Sequence, residues 1–145
     1  MDPRSRRPRR SQRPLARLLG ERGAAAVEFA LVAPVLLMLL FGIVEFSKAF
    51  SAQSMLSAAA REGARAMVLT NNATTARTAA VNAASSLGVP SSAVTLTFSR
   101  GSSCAGATPT DTVTVRITYR QAFVSGMLGR TGVDLSGQAR MRCGG

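Results

Sequence analysis

The chain predicts an α+β fold: one long N-terminal helix, transmembrane in its first half and amphipathic in its second, packed on a small antiparallel sheet of about three strands. Three observations carry this expectation. Residues 29–44 hold no charge. A seam of apolar and small residues, spaced alternately three and four apart, continues from there to Met67. The last third of the chain alternates apolar and polar side chains with period two.

The apolar run fixes the scale of the first element. From Ala24 to Val44 there are twenty-one residues with Glu28 as the single charge, about 31 Å of helix at about 1.5 Å per residue. The hydrocarbon of a bilayer is about 30 Å thick. A helix apolar around its whole circumference needs lipid or a large protein core, and a chain of 145 residues leaves too little to enclose it. A transmembrane helix over residues 24–46 follows, with Pro34 tolerated inside it because neighbouring groups in membrane helices re-satisfy the freed carbonyl. Ala26 and Ala30 would allow another helix to approach closely or would simply reflect an alanine-rich composition.

Charge sets the orientation. Residues 1–22 carry eight arginines against Asp2 and Glu21, and almost nothing apolar precedes Leu15. An Arg-rich arm of this kind can bind nucleic acid, or it can hold the end of an adjacent span in the cytoplasm. The span that follows directly favours the second role, so no nucleic-acid partner is expected. Residues 1–23 are then a basic, disordered cytoplasmic leader, and residues 47–145 form an extracytoplasmic head. In that compartment Cys104 and Cys143 are expected to be bridged, the alternative being a buried thiol at Cys143 and an incidental one at Cys104.

Beyond the span, Phe46, Ala49, Gln53, Leu56, Ala60, Gly63 and Met67 line one face of a continuing helix, which no proline interrupts before Leu69. The expected partner of this stripe is the protein's own second half. Gly63, costly in a helix interior, fits a close approach by another backbone. Glu45 and Glu62 are read as solvated positions. Thr70-Asn71-Asn72 breaks the helix, and Ala73–Leu87 predicts a second one that stops at Gly88 before Pro90. Asn72-Ala73-Thr74 also fits a glycosylation sequon, to which little weight attaches. Three strands follow. Val94, Leu96 and Phe98 share one face, as do Val113, Val115, Ile117 and Tyr119, and then Val133, Leu135, Ala139, Met141 and Cys143. Residues 121–130 would connect the last two strands as a short helix or an apolar loop.

Catalytic chemistry has little to work with. The chain contains no His and two Cys, which removes the usual general base and leaves no metal set. Neither a nucleophile elbow nor a phosphate loop is present. The expectation is a protein without cofactor or metal and without enzymatic activity.

The string Arg22-Gly-Ala-Ala-Ala-Val-Glu-Phe-Ala-Leu-Val-Ala-Pro-Val-Leu-Leu, with Phe41-Gly-Ile-Val-Glu-Phe and Ala59-Ala-Arg-Glu-Gly-Ala-Arg-Ala after it, closely resembles the TadE-like family. Members are pilin-like minor pseudopilins of tight-adherence (Flp-type) pilus systems. The likeness covers about Arg22 to Leu69. It implies a pilin-like fold, cleavage between Gly23 and Ala24 by a membrane prepilin peptidase, and pairing of Glu28, the fifth residue of the processed chain, with the freed N-terminal amine of a neighbour during assembly. Ala24 departs from the Phe that better-known type IV pilins carry at the first mature position. The expected partners are the bilayer, that peptidase and other pilins or pilus-assembly proteins, in an oligomer or as a filament component. The expected place is the bacterial inner membrane, single-pass, with the N-terminus inside and the head outside, or a pilus at the cell surface. Two other readings remain: an anchored extracytoplasmic binding module without a filament role, and a secreted protein whose apolar run is a signal peptide cut after Ala49-Phe50-Ser51.

Overall fold

The computed structural model describes residues 15–123 and 132–143, with side chains from residue 23 onward. The basic arm before Leu15 and most of the expected connection, residues 124–130, lie outside the described residues. Two compact units divide the chain, Met1–Leu40 and Phe41–Gly145.

Helix α1 spans Leu15–Thr70. It starts earlier than the expected disordered leader allows, because Leu15-Ala16-Arg17-Leu18-Leu19 is made of strong helix formers that can extend a helix already nucleated downstream. Pro34 lies within it. From Gly23 to Thr70 it is long and apolar enough to cross a membrane: its most apolar window has a mean hydropathy of 2.5, with no part of that window buried in protein. Phe29 and Leu31 are 71% and 72% exposed.

The end of α1 is a polar closure. Asn71 takes the left-handed conformation at φ 48°, which asparagine tolerates better than most residues. Its N–H donates to the Met67 carbonyl at 2.9 Å. Asn72 then caps α2 (Ala73–Ala83), its side chain accepting from the N–H groups of Thr74 and Thr75. A turn of 3₁₀ helix, Ser85–Leu87, follows α2 and ends at Gly88 with φ 63°. The second helix thus tightens over its last turn instead of remaining α-helical to Leu87.

Strands β1 (Val94–Phe98), β2 (Thr112–Ala122) and β3 (Gly132–Arg142) form an antiparallel sheet in the order β1-β2-β3. Val115 is central, opposite Leu96 on one side and Ala139 on the other. β2 continues through Gln121 and Ala122, opposite Val133 and Gly132, so those two residues extend the strand and do not begin the connection. One face of the sheet joins the core, where Val113, Val115 and Ile117 are fully buried with Leu56 and Met67 of α1 and Ala76 and Ala80 of α2. The valine, isoleucine, leucine and methionine side chains among these each contribute about 1.5–3 kcal/mol on burial.

Small residues let these layers meet. A Cβ on Gly63 would lie 2.9 Å from Ala80 Cβ and 3.2 Å from the Ala76 carbonyl oxygen. A Cβ on Gly137 would run into the Leu56 carbonyl group and sit 2.6 Å from the Ser57 nitrogen. At Gly137 the backbones of β3 and α1 are therefore in contact. Beside it, Gln53 Nε2 donates to the Ser136 carbonyl at 2.8 Å.

Gly137→Val should force the helix off the sheet, at about 1–3 kcal/mol or more for overpacking. Gly42→Ala serves as the control, since nothing lies within 4 Å of a Cβ there. Thermal unfolding of the full chain in detergent should show a lowered midpoint for the first variant alone. Equal midpoints would mean that the close approach does not hold the head together.

Candidate functional site

Gly23, Ala24 and Glu28 all lie inside α1 and are exposed. The backbone does not leave helical geometry at Gly23, and a Cβ there would meet nothing within 4 Å. Glu28 projects from the same exposed apolar cylinder as Val27 and Phe29. A carboxylate at such a depth is costly in lipid, and such residues commonly have a partner or a function.

Further along α1, Leu56 and Ala60 are fully buried, Met67 is 1% exposed and Gly63 is buried. Phe46, expected on the same face, is 73% exposed. It stacks instead on Phe50, ring centroids 6.4 Å apart. The helical period explains the difference. Stepping back from Leu56 by threes and fours leads through Ala52 and Ala49 to Glu45, and Phe46 is rotated about 100° away. Glu45 accordingly is buried, at 7% exposure, and is not the solvated residue that sequence reasoning made it. Glu62 is exposed.

Cys104 and Cys143 are bonded, with Cα atoms 5.2 Å apart and a sequence separation of 39. A loop of this length is worth about 4 kcal/mol on the chain-entropy account. The polar groups around the bond tie three elements together. Cys104 N–H donates to Asn71 Oδ1 at 2.8 Å, and Cys143 N–H to the Asp111 carbonyl at 2.8 Å. Asp111 Oδ2 accepts from Thr108 N–H at 2.7 Å and Thr108 Oγ1 at 2.9 Å. These hydrogen bonds, the backbone one first, hold the Asp111 carboxyl below its ordinary pKa. Asn71 thus closes α1 and also anchors the disulfide loop.

The other face of the sheet is wet and basic. Arg116, Arg120, Arg140 and Arg142 are exposed on it, as is Asp134. Arg120 and Asp134 are cross-strand partners and form an ion pair at 3.1 Å. Arg140 Nε donates to Thr112 Oγ1 at 3.0 Å. Among the described residues, no group of three His, Cys, Asp or Glu side chains could hold a metal ion.

Sequence reasoning missed Gly137 and the cap-to-loop role of Asn71. An isolated glycine in a strand pattern is the available signal for the first, since it marks a bulge or a close backbone approach. No local signal exists for the second, because Asn71 and Cys104 are 33 residues apart.

Neither a curated protein nor a solved structure matches the chain. Residues 23–65, from the start of the apolar cylinder through most of the packing stripe, match the family model described as TadE-like protein, so the likeness lies on that helix.

Proposed function

We propose that the chain is a pilin-like minor pseudopilin that acts in assembly of a tight-adherence pilus or a related secretion apparatus. The observation that carries this is the single helix from Gly23 to Thr70, apolar and exposed in its first half and core-forming in its second, on which the family match lies. A pilin-like subunit needs such an element: a helix whose first half can reside in lipid and whose second half forms part of a folded head. In this reading the protein is anchored in the inner membrane with the head outside the cytoplasm, and the disulfide suits that oxidising side. Its contribution is structural. It is the substrate of a prepilin peptidase and no catalyst itself.

The cut falls between Gly23 and Ala24. The missing side chain at Gly23 presents no obstacle to a peptidase cleft, and the arginines before it keep the site on the cytoplasmic side. Glu28 then becomes the fifth residue of the mature chain, where its charge offsets the ammonium of a neighbouring subunit's N-terminus in a medium that penalises both alone.

N-terminal sequencing of the native protein separates this reading from its competitors. A processed pilin begins at Ala24, and Gly23→Lys should abolish that start. A retained anchor begins at or near Met1 and a secreted protein near Ala52. A start at Met1 in cells with an active prepilin peptidase would rule out processing. Glu28→Gln keeps the shape and removes the charge, so the variant should insert and be cut normally but lose co-purification with partner pilins. Unchanged piliation in that variant would reduce Glu28 to a bystander.

A further inference from the structure

The wet face of the sheet is not a random scatter of solvated charges. Among the described residues it carries four arginines and one acid, and these are arranged with polarity. At one end Arg120 is paired with Asp134. Towards the other, Arg140 and Arg142 stand opposite Thr114 and Thr112, and Arg116 stands opposite Gln138, one step diagonal to Arg140. Like charges this close on one face repel each other. Arg140 is nevertheless held in place by its bond to Thr112, so a guanidinium is presented in a fixed attitude at entropic cost.

We propose that this face docks an acidic surface of another protein, with carboxylates opposite Arg116, Arg140 and Arg142. Guanidinium groups bind carboxylates in a bidentate, planar manner, which gives geometric selectivity. A second copy of this chain is a poor occupant. Between residues 47 and 143 the described residues include nine basic side chains and three acidic ones, so copies repel. A nucleic acid or other uniform polyanion is also a poor fit, since the Arg120–Asp134 pair leaves one end of the face without net charge. Phe98 of β1 and Tyr119 of β2 pack against the core and offer no stacking platform on this face.

The sheet face spans on the order of 400 Å² from its strand count and lengths, below the ~800 Å² per partner of a standard interface. Such a contact is weak alone and becomes effective when both proteins are held in one membrane, which raises their effective concentration. The proposal therefore rests on the assembly reading for where the partner resides, but not on Glu28 or on the cut at Gly23. The test keeps those residues and reads the N-terminus in parallel, so a failure of processing is seen separately from a failure of docking.

A photo-crosslinking residue placed at Gln138 in the full-length protein, expressed in its own membrane, should capture a protein whose crosslinked segment is rich in Asp and Glu. Arg116→Glu with Arg140→Glu should lower the yield about tenfold or more, since opposed like charges cost several times RT. Exchanging the captured carboxylates for lysine should restore it. Arg116→Gln with Arg140→Gln, read with protein level and the intact disulfide, should lower the yield without disturbing the fold. Capture of lipid, polysaccharide, nucleic acid or a second copy would overturn the proposal. So would no capture, or a yield indifferent to the charge reversals.

Discussion

The packing of α1 on the sheet is the contact on which the rest of the head depends. Leu56, Ala60, Gly63 and Met67 supply one side, and Val113, Val115 and Ile117 the other. What makes this contact possible is the absence of side chains as much as their presence. Gly63 admits Ala76 and Ala80 of α2, and Gly137 lets β3 touch the helix backbone at Leu56. A sheet of three strands cannot cover its own apolar face, and α1 with α2 is the cover. The same helix is free of charge over residues 29–44, where lipid is the expected solvent, so one element meets two environments with opposite demands on its surface.

Much of this architecture was legible in the residues. Period-two alternation identified the three strands, because a half-buried antiparallel sheet imposes that pattern on every residue. Their inward sets agree with the burial of Val94, Val113, Val115, Ile117, Ala139 and Cys143. The break at Thr70–Asn72 was visible because asparagine both caps helices and tolerates the left-handed region. Other features were misplaced. Phe46 was placed on the stripe by stepping three back from Ala49, but a step of four reaches Glu45, and it is Glu45 that is buried. The early start of α1 at Leu15 was hidden by the surrounding arginines, whose charge suggests disorder although their helix propensity is high. Close approaches such as Gly137 to Leu56 involve positions far apart in sequence, and no local pattern records them.

In the proposed reading, charge would do two jobs on two sides of the span. Before the apolar helix the arginines are suited to fix orientation, with no need for a defined surface. On the sheet they stand in register on a rigid scaffold, one pinned by Thr112 and one paired with Asp134. The disulfide and the Asn71 anchor hold the loop and the end of β3 against the end of α1, which keeps that scaffold from fraying at the end richest in arginine. The family pattern stops within the packing stripe, and the head surface beyond it is where this chain would carry its own specificity.

The central claim is that span and packing stripe are one helix. Hydrogen exchange of the full chain in lipid nanodiscs reads this directly, because an unbroken helix protects every amide in turn while a hinge exposes a cluster of them. Continuous slow exchange is expected from Phe29 through Val44 and on to Met67, with no fast segment between residues 44 and 52. Rapid exchange confined to that interval would show an anchor and a head joined by a flexible link, and would contradict the account.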